Sequence, residues 1–269
     1  MRQWRLIYDL PTSGIWNMAV DEAILQAVAR GEAPPTLRFY DWSPACLSLG
    51  YGQRAADADF DAVARHGWTV VRRPTGGRAI LHVDELTYSV ALPGDEPLAA
   101  GDILDSYRQI SQALVHGLAL LGAHALAEPQ SERARGGPVC FEVPSHYEIT
   151  VGGRKLVGSA QVRRYGGVLQ HGSLPLHGDL GRICQALFYA DEAARAEAQR
   201  QVRARALTLA EACGGRDFTW QEAAAALAAG FNRVHGIQLA PAKLTPNEYR
   251  EARRLAAEVY GQPAFTRRR

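Results

Sequence analysis

Lysine is almost missing from this chain. Lys155 and Lys243 are its two lysines among 30 basic residues, and the other 28 are arginine. A codon preference for arginine explains most of that skew. It still leaves each surviving lysine as a candidate for a place that guanidinium cannot fill, because arginine stays protonated whereas a lysine amine can give up its proton. Long apolar runs are missing too: no stretch approaches the about 18 consecutive apolar residues of a membrane-spanning helix. The opening Met1-Arg2-Gln3-Trp4-Arg5 leads into a strand-like segment without the apolar region of a secretory signal. A cytoplasmic protein without membrane association is expected. The four cysteines, Cys46, Cys140, Cys184 and Cys213, include no C-x-x-C pair and no Cys/His zinc spacing, so neither a disulfide scaffold nor a metal site is expected. In a reducing compartment each is a free thiol. The formal net charge of +2 argues against bulk nucleic-acid binding.

What is present is a globular composition: 269 residues, 47% apolar, with 26 glycines and 14 prolines, enough for one substantial core. Alternation predicts a strand over 4–9. Residues 13–29 read as a helix, with Ser13 as N-cap and Trp16, Val20, Ala23, Ile24, Ala27 and Val28 at helical spacing. Strands near 36–41 and 46–50, a helix over 57–65, and strands at 69–72 and 87–92 follow. Residues 102–122 form the clearest amphipathic helix. After a polar loop at 128–139 come strands near 145–151, 155–162 and 167–174, the first two joined by Gly152-Gly153. Beyond 179 the chain turns Ala-rich, with helices near 179–188, 206–213, 219–235 and 246–260 and helix starts at Thr219–Glu222 and Thr245-Pro246. This order predicts an α+β fold: a mixed, largely antiparallel sheet flanked by helices, with a C-terminal helical segment. The expected division is a catalytic core over 1–178 and a helical part over 179–269 packed on it.

Three segments carry candidate chemistry. In Arg72-Arg73-Pro74-Thr75-Gly76-Gly77-Arg78-Ala79-Ile80-Leu81-His82 a strand delivers two arginines into a loop with paired glycines. Such a loop brings backbone close to a ligand and can point amides at an anion, or it is a plain turn. It lacks the spacing of a Walker A loop or a dinucleotide fingerprint. Cys140, just after Gly136-Gly137-Pro138 and followed by Phe141-Glu142, sits among polar residues, where a thiol is accessible and reactive. The other three cysteines lie in apolar stretches and read as buried. In Lys155-Leu156-Val157-Gly158-Ser159-Ala160-Gln161, followed by Gln170-His171-Gly172, small residues in a strand mark the close approach of a ligand or another backbone. The basic end Thr266-Arg267-Arg268-Arg269 is either a solvated tail or a docking segment for an acidic partner.

Taken in order, Arg72-Arg73…Gly76-Gly77…His82, Cys140-Phe141-Glu142, Lys155…Gly158-Ser159-Ala160-Gln161 and Gln170-His171-Gly172 resemble the lipoate-assembly acyltransferase family, which also holds lipoate–protein ligases and, more distantly, biotin–protein ligases. The resemblance runs from the Trp16–Asp21 helix to the helix start at Leu244-Thr245-Pro246. Cys140-Phe141-Glu142 is similar to the cysteine-dependent octanoyltransferases that load the glycine-cleavage H protein. An Arg-Asn-Asp type segment, which ATP-using ligases tend to carry near this point, is not found. The resemblance implies a biotin/lipoate ligase-like fold and transfer of octanoyl from acyl carrier protein to a lysine of the H protein or a lipoyl domain, through a thioester on Cys140 and without a cofactor. It implies Cys140 and Lys155 as catalytic residues, and Arg72, Arg73, Gly76, Gly77, His82, Gly158, Ser159, Ala160 and His171 as substrate contacts. An ATP-dependent lipoate–protein ligase and an octanoyl amidotransferase between carrier domains are the alternatives.

The chemistry is consistent with those residues. A thioester donor is already activated, so no ATP is required. A free thiol titrates at ~8.5 and gains thiolate character beside an ammonium. Lys155 is suited both to stabilise a Cys140 thiolate and, once neutral, to take the acceptor lysine's proton; an arginine could do only the first. Backbone amides near Lys155–Gly158 and in the Gly76-Gly77 loop are candidate donors to the thioester oxygen. An octanoyl chain in an apolar slot gains roughly 5 kcal/mol at ~0.8 kcal/mol per methylene.

Overall fold

The structure is a computed structural model and describes residues 2–129 and 147–268. Its first half runs β1 (Gln3–Tyr8), α1 (Gly14–Ala29), β2 (Thr36–Tyr40), β3 (Cys46–Leu49), α2 (Phe60–Arg65), β4 (Thr69–Arg72), β5 (Ile80–His82), β6 (Glu85–Pro93) and α3 (Ile103–Leu120). It continues with β7 (Leu126–Pro129), β8 (Tyr147–Val151), β9 (Arg154–Arg164), β10 (Gly167–Pro175), α4 (Glu192–Arg205), α5 (Leu209–Ala212), α6 (Trp220–His235), β11 (Gln238–Pro241), α7 (Pro246–Leu255) and α8 (Pro263–Thr266). Two sheets result. An eight-stranded sheet has the order β11-β1-β2-β6-β10-β9-β8-β7, and a three-stranded sheet has the order β4-β3-β5. In the large sheet only β11-β1 and β1-β2 are parallel, so the expected mixed, largely antiparallel sheet is found.

Helices cover both faces of that sheet. On one face α3 and α6 pack on Tyr88, Val90, Leu92 and their neighbours. The two helices approach closely because glycines face each other there: a Cβ on Gly117 would lie 2.7 Å from the Ala226 carbonyl oxygen. On the other face α1 and α7 pack with Tyr40, Ala91 and Leu169, and Cys46 and Val71 bring the small sheet against the same layer. A third cluster joins the small sheet to α4 through Leu47, Ile80, Ile183, Ala198 and Val202.

Several starts fall where the sequence predicts them. Ser13 caps α1 by accepting from the Trp16 amide, and Thr219 and Thr245 each form a capping box, with Glu222 and Glu248. Other elements differ. The segment expected as a helix at 179–188 is a 3₁₀ turn over Leu180–Ala186, and the helix expected through 260 ends in a π turn over Ala256–Tyr260. β5, β7, α4 and β11 have no counterpart in the sequence reading. β11 comes from the stretch expected to be helical and lies beside β1. The core on the α3 side takes residues from both sides of position 178, Leu174 and Leu176 alongside Leu207, Leu209 and Phe231.

Candidate active site

Antiparallel register assembles the site from the centre of the large sheet. Tyr88 of β6 and Ser159 of β9 both stand opposite Gly172 of β10, and Ala160 stands opposite His171. Residues directly opposite share a face. Tyr88, Gly172 and Ser159 therefore face α3, while Ala160 and His171 face α1. Along the α1 face lies a cavity whose lining includes Trp42, Ser48, Arg73, His82, Thr87, Gly158, Ser159, Ala160, His171 and Ser173.

Two carboxylate-held imidazoles stand in its wall. His171 Nδ1 is 3.1 Å from Asp21 Oδ2, and its Nε2 is 2.6 Å from Thr75 Oγ1. Asp21 only accepts, so the ring hydrogen sits on Nδ1 and the Thr75 hydroxyl donates to Nε2. Burial holds the His171 ring below its usual range, outweighing Asp21. Burial alone would raise the Asp21 carboxyl, but Arg38, His171 and Tyr40 together hold it below the ordinary value. Arg38 and Ser89 donate to Oδ1 at 2.7 and 2.8 Å, and Tyr40 donates to Oδ2 at 2.8 Å. The second imidazole, His82, stacks on Trp42 with centroids 3.9 Å apart. Its Nδ1 is 3.2 Å from Glu85 Oε1 and its Nε2 is 2.8 Å from Ser48 Oγ. Thr87 and Ser173 also donate to Glu85.

The glycine loop is braced from within. Arg73 Nη1 donates to the Ser48 carbonyl, and Nε and Nη2 donate to Gly76 O at 3.1 and 2.7 Å. Gly77 has φ +90°. Among the described residues nothing accepts from the Gly76 or Gly77 amides. Arg73, His82, Gly158, Ser159, Ala160 and His171 thus come together in one cavity. Gly76 and Gly77 lie beside it without lining it. Ser159 is among the lining residues, and its hydroxyl lies 2.7 Å from the Tyr88 hydroxyl, which fastens the cavity floor. Tyr88 in turn accepts from Gln170 at 2.9 Å, and burial pushes its phenol up to about 12.

Arg72 lies elsewhere. It is fully buried and does not line the cavity. Its guanidinium donates to the carbonyls of Gly50 and Gln53 at 2.7 and 2.6 Å, and to those of Thr266 and Arg268 at 2.9 and 3.0 Å. It clamps the C-terminal residues onto the 50–53 turn. Arg267 lies over Phe60 and Arg268 over Tyr51, at 4.2 and 3.7 Å. Thr266 to Arg268 are thus held against the body of the chain, with Arg267 still exposed.

Lys155 is buried, and its Nζ donates to Glu148 Oε1 at 2.5 Å. Opposite β8, Ile149 pairs with Val157 but Thr150 with Lys155, so β9 holds one extra residue, Leu156. That bulge reverses the alternation. Lys155 then shares the face of Gly158 and Ala160, roughly 10 Å up the strand at ~3.4 Å per residue. Without it Lys155 would face the α3 core. Glu148, Asp21, Ser48, Thr75 and Glu85 were missed by sequence reasoning. A signal existed for Asp21: with Asn17 it puts polar residues four apart on the buried side of α1. Cys140 lies outside the described residues. Among the described cysteines Cys46 is buried, its thiol pushed up to about 12 by burial, and burial also raises the Cys213 thiol. No His/Cys/Asp/Glu group fit to hold a metal is found among the described residues, and no helix there is long and apolar enough to cross a membrane.

This arrangement can be compared with known proteins. Residues 13–232 match the lipoyl protein ligase A/B catalytic domain. The chain belongs to that family. Within it, similarity is high to octanoyltransferase LipM of Symbiobacterium thermophilum, 44% identical over 265 residues, and of Kyrpidia tusciae, 43% identical, each alignment covering 96% of both chains. Among solved structures, the bipartite lipoate protein ligase of Thermoplasma acidophilum, described together with its E2 lipoyl domain, superposes with TM-score 0.82 at 26% identity, covering 99% of this chain and 97% of that one. A lipoate-protein ligase A bound with ATP superposes with TM-score 0.82 at 27% identity, covering 99% of each. The fold of this chain is thus the lipoate ligase fold.

Proposed function

We propose that this protein is an octanoyltransferase of lipoate assembly, moving octanoyl from acyl carrier protein to a lysine of a lipoyl-bearing protein such as the glycine-cleavage H protein or a lipoyl domain. The observation that carries this reading is Lys155 on the cavity face of β9, in a chain similar end to end to octanoyltransferases. In the first half-reaction the Cys140 thiolate attacks the donor thioester. The new C–S bond forms, and the carrier thiolate leaves with its electron pair and takes a proton from the Lys155 ammonium. In the second, the acceptor amine attacks the enzyme thioester. The C–N bond forms, the Cys140 sulfur leaves, and the amine's proton passes to neutral Lys155, restoring ammonium and thiolate. The exposed Gly76 and Gly77 amides are available to the acyl oxygen, and the cavity takes the acyl chain. Burial raises the thiols of Cys46 and Cys213, which disfavours both as nucleophiles.

Intact mass after mixing with octanoyl-acyl carrier protein tests the reading. One octanoyl adduct is expected on the wild-type protein without ATP and none on Cys140→Ala; an equal adduct on Cys140→Ala rejects it. Lys155→Arg should lose most transfer, and near-normal rates reject the proton-transfer assignment. Likeness to the ATP-bound ligase favours a second reading, ATP-dependent ligation. Free octanoate with ATP and acceptor protein would then give product, and the thioester donor without ATP would give none.

A further inference from the structure

We propose that Glu148 is a positioning residue for Lys155, holding its side chain on the cavity face and favouring its ammonium form. This rests on the reading of Lys155 as the proton-transfer group and adds the counter-charge that group needs. Lys155 and Glu148 are both nearly excluded from water, with side chains 3% and 6% exposed. An ammonium buried alone loses its proton; a neutral Lys155 could neither favour a thiolate nor protonate the leaving carrier thiolate. A carboxylate at 2.5 Å counters that loss.

The backbone delivers the pair. β8 and β9 are joined by the tight Gly152-Gly153 turn, Thr150 stands opposite Lys155, and Glu148 is the next residue of β8 on the same face. The Leu156 bulge turns Lys155 to that face. Register, bulge and carboxylate therefore agree on one geometry, in which one ammonium hydrogen is directed at Glu148. The Leu207 amide donates to the Lys155 carbonyl at 3.0 Å and fixes the backbone from the other side.

The scarcity of lysine makes this directly measurable. With lysines labelled at ¹³Cε, the side-chain spectrum holds two signals, Lys155 and exposed Lys243, the latter an internal reference. In Glu148→Gln the Lys155 midpoint should fall by about one pH unit or more, while Glu148→Asp keeps it near wild type and Lys243 does not move. In single-turnover transfer from the acylated enzyme, the acid limb of the pH–rate profile should shift down with that midpoint, and in steady-state turnover the KM for the acyl donor should hold. An unchanged Lys155 midpoint in folded Glu148→Gln overturns the proposal. Should that variant not fold, the wild-type spectrum decides. A Lys155 midpoint at or above that of Lys243 supports the carboxylate's dominance, and one below it means burial wins and overturns the proposal. A fully active Lys155→Ala enzyme would instead sink the proton-transfer reading, and with it the purpose given to Glu148.

Discussion

At the scale of single residues, the site is built from polar groups that neutralise one another inside a dry wall. The signal for Lys155 was legible because lysine is scarce and small residues follow it. Its partner was not legible, nor were the pairings His171–Asp21 and His82–Ser48, since each depends on strands and helices far apart in sequence. These pairings have a pH consequence. Burial holds His171 below 6.5 in the folded protein, so the unfolded chain takes up a proton there that the folded chain refuses. Stability should fall as pH drops below about 6.5. Asp21, held below 3.8 when folded, keeps its contribution above that value and loses it only in stronger acid. In a melting-temperature series against pH, His171→Asn should flatten the upper part of the decline, just below about pH 6.5. The same slope in both proteins would show that other groups govern acid sensitivity.

At the scale of elements, periodicity was readable where one face is apolar and silent elsewhere. α3 and α6 show an apolar face at helical spacing and start at recognisable caps, whereas α1 is buried nearly all round and is marked chiefly by its Ser13 cap. α4 escaped because only Ala198 and Val202 are buried. Its polar surface is held by pairs such as Arg195–Glu192 and Arg200–Glu197 rather than by an apolar stripe. β5 has three residues, too few for alternation to register, and the Leu156 bulge breaks the very alternation that a strand reading assumes. The Gln170-His171-Gly172 segment now has a positional explanation. Gln170 supports Tyr88, His171 faces the cavity, and Gly172 leaves room for Tyr88 to reach Ser159 across β10. A Cβ at Gly172 would lie 2.6 Å from Tyr88 Cε1 and 2.7 Å from the Gly158 carbonyl oxygen. Gly172→Ala should cost about 1–3 kcal/mol as an overpacked core site, measured by urea unfolding, and should raise the KM for the acyl donor because the Gly158–Ala160 floor must move. An unchanged midpoint and KM would show that the strands yield freely there.

At the scale of the molecule, the C-terminal elements are fastened to the N-terminal layer by charge as well as by packing. Arg5 on β1 grips Glu248 on α7 with two hydrogen bonds, at 2.9 and 2.5 Å, and also donates to Thr36 at 2.9 Å. Both partners are buried. Such a pair adds little net stability over an apolar substitute, since desolvation offsets the attraction, yet removing one partner strands the other charge. Arg5→Met keeps the apolar stem and leaves the Glu248 carboxylate uncompensated, with only the Thr245 amide, among the described residues, still donating to it. A loss of about 3–5 kcal/mol is expected, or roughly 6–20 °C in melting temperature. The double variant Arg5→Met/Glu248→Gln should recover much of that loss, because no buried charge is left unpaired. Melting temperatures of the two single variants and the double variant close the cycle. If the double variant falls as far as the sum of the singles, the two groups act independently. The C-terminal helix is then held by its apolar contacts to α1, with Ala252 and Leu255 in the shared core, and not by this ion pair.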